Sequence, residues 1–179
     1  MSDKTEAYIL CFLREADTSF ALWYEAPDET DVFAADAAGR ILSFPDSASA
    51  AAAAADLQMA VSREETVVDL AVLNAPLSPE LTPAESNALL TIWNLADDLA
   101  KTFGLPYSGA QTAADALYDK LFRCCALPAM GELPETHLWT REETAQLSSI
   151  LREAAALFAE KLIWYERPLP GADCYADHE

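Results

Sequence analysis

The segment from Thr82 to Phe103 most constrains the fold, because it carries helix signals at its start and along its whole length. Thr82 and Glu85 have the spacing of a capping box, and Pro83 occupies the first helical position, where proline is favoured. Apolar residues recur at intervals of three and four, at Leu89, Ile92, Trp93, Ala96, Leu99, Ala100 and Phe103. A helix of this length spans about 33 Å. We therefore expect the other elements to pack on it.

The opposite face of this helix carries Asn94, Asp97, Asp98 and Lys101, and it is predicted to face solvent. Asp97 and Lys101 are four residues apart, which suits an ion pair on a helix surface. Asp97 and Asp98 are consecutive and therefore diverge by about 100° around the helix axis. This divergence argues against a shared catalytic role for the two carboxylates.

Five segments before this helix are rich in apolar, aromatic and β-branched residues and are predicted as strands: residues 7–14, 19–25, 31–35, 40–44 and 66–73. The last of them is apolar enough to predict a central position in the sheet. Residues 47–61 are predicted as a helix that contains six consecutive alanines at 50–55. A low-complexity linker is the alternative interpretation of the alanine run. The capping residue Asp46 or Ser47 favours the helix.

Two more helices are predicted after the central one. The first covers residues 113–125, and the second begins at Thr140 with another capping box and ends before Pro168. The order of elements predicts an α+β domain: an N-terminal antiparallel sheet of about five strands with one inserted helix, followed by three helices packed mainly on one face. We expect a single domain over residues 1–179, with a sheet-rich half (1–75), a helical half (80–167) and a frayed tail (168–179).

Charge excludes several classes of function. The chain has 30 acidic and 11 basic residues, a net charge of −19, so it repels nucleic-acid phosphates and anionic membranes and attracts cationic partners. Because 52% of the residues are hydrophobic, the chain is not a disordered acidic polypeptide. No secretion signal or membrane span is evident, and the four cysteines lack disulfide or zinc spacing. We expect a cytoplasmic protein that binds neither nucleic acid nor membrane directly.

Motifs for catalysis, metals and cofactors are missing from the sequence. The two histidines and five glycines form no zinc, phosphate-binding or nucleophile motif. We therefore predict no catalytic residue, no metal ligand, no cofactor and no enzymatic activity. Asp115 and Asp119, one helical turn apart, share a face and form the best candidate for a cation-binding pair. The alternative interpretation of this pair is an ordinary solvated helix face.

The densest acidic patch has no basic residue between Arg14 and Arg40, and it consists of Glu25, Asp28, Glu29, Asp31 and Asp36. Such a patch suits a cationic protein partner. It also suits the protection of an exposed sheet edge against self-pairing. Trp139 is the candidate aromatic anchor of an interface. Asp97, Asp98, Asp115 and Asp119 are secondary acidic candidates for partner binding.

The hairpin DVFAADAAGRILSF, the alanine-rich helix and the segments WNLADDLA, ALYDKLF and LWTREETAQLSSIL give an order of elements that resembles small acidic bacterial immunity proteins. These proteins are encoded beside polymorphic or contact-dependent inhibition toxins. The resemblance implies a cytoplasmic protein that binds and blocks the toxic domain of a cognate effector, often a basic nuclease. Two alternatives remain open: a structural or adaptor subunit of an oligomer, and an enzyme that uses carboxylates and a divalent ion.

Overall fold

The computed structural model describes residues 5–125 and 138–167. Within these ranges the chain forms one mixed sheet and four α-helices, which confirms the predicted α+β class. The elements in chain order are β1 (Glu6–Arg14), β2 (Asp17–Glu25), β3 (Asp31–Phe33), β4 (Ser43–Phe44), α1 (Ser47–Asp56), β5 (Ala60–Asp69), α2 (Pro83–Phe103), α3 (Asp115–Cys124), α4 (Arg141–Lys161) and β6 (Tyr165–Glu166). No helix in the described ranges is both long and apolar enough to cross a membrane.

The sheet has the strand order β3-β2-β1-β5, and the short strands β4 and β6 also pair with β2. Strands β1 and β2 are antiparallel, with Leu10 opposite Ala21. Strands β1 and β5 are parallel, with Leu10 opposite Thr66. The sheet is therefore mostly antiparallel with one parallel pair. The long connection from β1 to β5, which includes α1, makes the parallel pairing possible.

Three predictions for the region after β4 were wrong: the end of the helix at residue 61, the bounds 66–73 of the next strand, and the central position of that strand in the sheet. Helix α1 ends at Asp56, and Gln58 takes a positive φ of 60° in the turn that follows. Strand β5 spans Ala60–Asp69 and is followed by a 3₁₀ helix at Leu70–Asn74, where the Asp69 carboxylate caps the Ala71 N–H. Strand β5 lies at the end of the sheet, and residues 63–67 are exposed. The apolar pattern marked only the C-terminal part of this strand, which includes the buried Val68.

Hydrophobic side chains pack on both faces of the sheet. The larger cluster lies on the side of α2, α3 and α4, and its largest fully buried side chains are Trp93, Phe12, Phe33 and Phe158. It contains residues from both the sheet-rich and the helical halves of the chain. A smaller cluster lies on the opposite face, beneath α1, and consists of Ile9, Leu22, Ala34, Ala50 and Ala54. The alanine run is thus packed on the sheet along one side of α1.

Helix α2 begins and ends as predicted. The Glu85 N–H donates to the Thr82 hydroxyl at 3.2 Å, and the Thr82 N–H donates to the Glu85 carboxylate at 2.8 Å. Gly104 ends the helix in the left-handed conformation, with φ 62°. Trp93 is 2% exposed, which confirms its predicted place in the core.

The helical half returns to the sheet at its end. The Ile41 N–H donates to the Lys161 carbonyl at 2.9 Å, and β6 pairs with the start of β2. The loop predicted between α3 and Trp139, including His137, falls largely in 126–137, outside the described residues. The predicted tail at 168–179, with Cys174 and His178, also lies outside them.

Candidate functional site

The pairing of the first three strands places two aromatic and two acidic side chains on one face of the sheet. Tyr8 is opposite Trp23 in β1 and β2, and Glu25 is opposite Asp31 in β2 and β3. Side chains two residues apart on a strand share a face, and directly opposite residues also share one. Because Glu25 follows Trp23 by two residues, all four side chains project toward the same side.

Helix α2 lies over part of this face and leaves an open cavity of about 470 Å³, lined by Tyr8, Leu10, Trp23, Asp31, Thr66, Thr91, Asn94, Leu95, Asp97, Asp98 and Lys101. An adjoining hollow of about 790 Å³ shares Tyr8, Trp23 and Asp31 and adds Glu6, Glu25 and Glu29 among its lining residues. We call the two together the acidic cleft. Their walls hold six carboxylates and one basic group, Lys101.

Asp98 is the buried carboxylate of the acidic cleft. It is 8% exposed, and its Oδ2 accepts a hydrogen bond from Trp23 Nε1 at 3.1 Å. Burial raises the pKa of Asp98 to about 6, and the Trp23 hydrogen bond and the Lys101 charge only partly oppose that rise. The prediction that Asp98 lies on a solvated helix face was therefore wrong. The indole of Trp23, which comes from β2, covers a position that the helix pattern alone leaves exposed.

Lys101 is held by two carboxylates. Its Nζ lies 2.8 Å from Asp97 Oδ2, which confirms the predicted pairing of these residues, and 3.8 Å from Asp98 Oδ1. The hydrogen bond to Asp97 raises the pKa of Lys101, so the ammonium stays charged. With this single cation already paired, the remaining carboxylates of the cleft, Glu6, Glu25, Glu29 and Asp31, leave the site with a negative potential.

Two aromatic rings form the floor between these carboxylates. The rings of Tyr8 and Trp23 meet edge to face, with their centroids 5.5 Å apart. The charge of Glu6 raises the pKa of the Tyr8 hydroxyl, which therefore stays protonated at neutral pH. Aromatic faces beside carboxylates attract lysine and arginine side chains through both cation–π and ion-pair interactions. The cleft thus has the chemistry of a receptor for cationic side chains.

The structure separates the predicted acidic patch into two groups. Glu25, Glu29 and Asp31 line the acidic cleft. Asp28 and Asp36 instead hold turns: Asp28 accepts from the Thr30 N–H at 3.2 Å, and Asp36 accepts from the Arg40 N–H at 3.0 Å. That hydrogen bond lowers the pKa of Asp36, and the Arg40 guanidinium also pairs with it at 3.0 Å.

Trp139 was predicted as the aromatic anchor of an interface, but it is buried in the structure. It is 3% exposed, and its main-chain N–H donates to the Pro79 carbonyl at 2.7 Å. The Lys120 ammonium lies 4.9 Å from its ring centroid, and the same ammonium bonds Glu143 at 2.8 Å. These contacts join the start of α4 to α3 and to the loop before α2. The position of Trp139 is therefore set by internal packing.

Asp115 and Asp119 are exposed on α3 and do not line the acidic cleft. Among residues 5–125 and 138–167, no group of three or more histidine, cysteine, aspartate or glutamate side chains is arranged to hold a metal ion. Cys11, Cys124 and Cys125 are buried, and burial raises the pKa of each thiol. A raised pKa keeps these groups as thiols, which are weak nucleophiles.

Sequence reasoning missed Glu6, Tyr8, Trp23 and Lys101 as members of the site. The sequence did contain a signal for part of the site. Glu6 and Tyr8 are two residues apart on β1, and Trp23 and Glu25 are two residues apart on the adjacent strand β2. Strand alternation alone therefore places each pair on one face. The contribution of α2 had no such local signal.

Comparisons with known proteins add no relative from which a function could be carried over. The chain matches no family model, no curated protein and no solved structure. The geometry and charge of the acidic cleft therefore provide the main indication of function.

Proposed function

We propose that this protein is an acidic, non-catalytic inhibitor that binds another protein, and specifically an immunity protein that neutralises a cognate basic toxin domain in the bacterial cytoplasm. The observation that supports this proposal is the acidic cleft, in which six carboxylates and two aromatic rings surround one lysine. A cationic protein surface is the partner that such a cleft complements best.

The electrostatics suit rapid capture of a basic partner. The net charge of −19 attracts cationic proteins at long range, and the cleft concentrates that field at one end of the sheet. Opposite charge raises association rates well above the unsteered value of about 10⁵–10⁶ M⁻¹s⁻¹ and makes them sensitive to salt. A carboxylate-lined cleft also resembles the phosphate backbone that a basic nuclease binds. The toxin class most consistent with this surface is therefore a nuclease.

The rigid support of the cleft also suits an inhibitor. Trp23 is fixed by its hydrogen bond to Asp98 and by its contact with Tyr8, so its ring is held in place before a partner arrives. The Phe33 N–H donates to the Thr102 hydroxyl at 3.0 Å and joins β3 to α2. Binding surfaces that are already ordered lose less entropy on association.

Protection of cells is the direct test. The proposal predicts that a toxic C-terminal domain is encoded in a neighbouring reading frame. That domain is expressed with and without this chain, and survival is measured together with binding of the purified pair. Protection and tight binding are expected. If the protein neither binds the domain nor rescues growth, the immunity proposal is wrong.

A matched pair of charge-reversal variants locates the interface. Glu25→Lys with Glu29→Lys changes two exposed carboxylates of the cleft, and Asp115→Lys with Asp119→Lys makes the same charge change on α3. We expect the first variant to slow association at low salt by about tenfold or more, and the second to have a much smaller effect. Equal slowing by both variants would show that net charge, and not the cleft, drives binding.

A further inference from the structure

The outer edge of β5 is the longest open strand edge in the described structure. Among residues 5–125 and 138–167, β5 pairs only with β1, in regular parallel register from Glu65 to Asp69. The N–H and C=O groups of successive residues on a strand point to opposite sides. Every second residue between Glu65 and Asp69 therefore directs its main-chain groups away from β1. Such an edge is a template for another strand.

An open groove runs beside this edge. Its volume is about 240 Å³, and its walls include Thr66 and Val68 from β5 and Ala88 and Thr91 from α2. Thr66 and Thr91 also line the acidic cleft, so the groove and the cleft are continuous. The small side chains on α2 leave space next to the strand for a second extended backbone.

The side chains along β5 indicate which strand would fit. Glu65, Val67 and Asp69 are opposite Ile9, Cys11 and Leu13 of β1, and alternate residues share a face. One face of the edge thus presents an acid, an exposed valine and another acid in sequence. Val67 is 56% exposed, which is unusual for a valine in a strand.

The same charges disfavour a second copy of this chain as the occupant. Like charges directly opposite each other destabilise a strand pair, and each copy would bring three acids, Glu64, Glu65 and Asp69, against the one base Arg63. Glu64 also contributes to the raised pKa of Tyr8, so the negative field of the edge reaches the acidic cleft. Charge complementarity therefore selects a basic strand.

We propose that the free edge of β5 binds an extended segment of a partner protein by strand addition. The segment carries lysine or arginine opposite Glu65 and Asp69 and an apolar residue opposite Val67. This inference rests on the proposed function, because the segment belongs to the protein that the chain inhibits. Main-chain hydrogen bonds then provide affinity, and the alternating side chains provide selectivity.

Amide exchange measured by NMR on the full chain tests the edge itself. In the free protein we expect alternating slow and fast exchange from Glu65 to Asp69, because only every second amide bonds β1. The probe is an acetylated seven-residue peptide in which four threonines alternate with lysine, valine and lysine. Adding it is expected to slow the fast amides. Slow exchange at all these positions in the free protein would show that the edge is already covered, and would overturn the proposal.

Two chemical controls separate strand addition from simple charge attraction. A probe with glutamates in place of the lysines is expected to bind at least about tenfold more weakly. N-methylation of alternate amides keeps the charge of the probe but removes its main-chain donors. The methyl groups can be placed on either of the two alternating sets of amides. Only the peptide methylated on the set that bonds β5 is expected to lose binding. Equal binding by both methylated peptides and by the unmodified probe would overturn the proposal.

Protein variants complete the test and separate it from the test of function. Glu64→Lys with Glu65→Lys is expected to weaken probe binding by about tenfold, while Asp115→Lys with Asp119→Lys leaves it within about twofold. A dimer of the free protein in sedimentation that also protects the β5 amides would overturn the inference.

If the toxin domain binds without protecting β5, the inference fails and the proposed function stands. If the probe binds β5 but no toxin domain is neutralised, the inference holds for another basic partner and the proposed function fails.

Discussion

Replacing Asp98 by asparagine is expected to stabilise the fold at neutral pH. The pKa of Asp98 in the folded protein is about 6, against an ordinary value of 3.8, because its carboxylate is buried. Each unit of difference corresponds to 1.36 kcal/mol, so the ionised form destabilises the fold by about 3 kcal/mol above pH 6. Asparagine has nearly the same shape, and its carbonyl oxygen keeps the hydrogen bond from Trp23 Nε1.

The pH dependence of this effect follows from the sign of the shift. A carboxyl whose folded pKa is raised holds its proton more tightly in the folded state, so its contribution to stability decreases as pH rises from about 3.8 to about 6. At pH 4 Asp98 is protonated in the folded protein and resembles asparagine. We therefore expect Asp98→Asn to add about 2–3 kcal/mol to the free energy of unfolding at pH 7.5 and close to nothing at pH 4.

Urea unfolding followed by tryptophan fluorescence at pH 7.5, 6, 5 and 4 measures this difference directly. Asp97→Asn is the matched control, since it removes a neighbouring carboxylate that is partly exposed and paired with Lys101. Its effect is expected to be a loss of less than about 1 kcal/mol. A gap between wild type and Asp98→Asn that stays constant from pH 7.5 to 4 would refute the reasoning. So would a loss of stability in Asp98→Asn at pH 7.5.

Two further substitutions test the core and the site. Trp93→Ala removes a side chain that is 2% exposed and is expected to lower the free energy of unfolding by about 3–5 kcal/mol, whereas Leu138→Ala, at a residue that is 57% exposed, should change it by less than about 0.5 kcal/mol in the same urea titration. Trp23→Phe removes the only hydrogen-bond donor that its side chain gives to Asp98, so the pKa of Asp98 is expected to rise above 6 in an NMR titration of its carboxyl carbon. An unchanged or lower pKa would contradict the role assigned to the indole.

The helices were predictable because their signals are local. The capping boxes at Thr82 and Thr140 each involve residues three positions apart, and the structure shows both hydrogen bonds of each box. The apolar spacing along α2 placed Trp93 in the core. A pattern of this kind depends on one helix and its own periodicity, so it is readable without knowing the partner elements.

The position of β5 was not predictable in the same way. Residues 66–73 are mostly apolar, with Asp69 as their one charged residue. A near-continuous apolar run is typical of a strand buried on both faces. The strand in fact begins at Ala60, includes the charged residues Arg63, Glu64 and Glu65, and lies at the sheet edge. Edge or centre is decided by which strands pair, and that choice depends on segments far apart in the chain.

The acidic cleft was also only partly predictable from the sequence. Glu25 and Asp31 were identified from their density in the sequence, and strand alternation places them on one face. Asp98 was assigned to solvent, because the helix pattern contains no information about Trp23, which covers it from β2. Asp98 is buried while its neighbour Asp97 is partly exposed, and the long-range contact with Trp23 contributes to this difference.

The pairing of β6 with β2 has a consequence for synthesis on the ribosome. Thr18 is opposite Tyr165, so the start of β2 cannot complete its pairing until residue 165 has emerged. Contacts between residues so distant in sequence form slowly, because a long loop must close before they are made. During that interval the N-terminal hairpin presents an unpaired strand edge at Asp17 and Thr18. Until β6 docks, this edge is an additional site at which the nascent chain can aggregate.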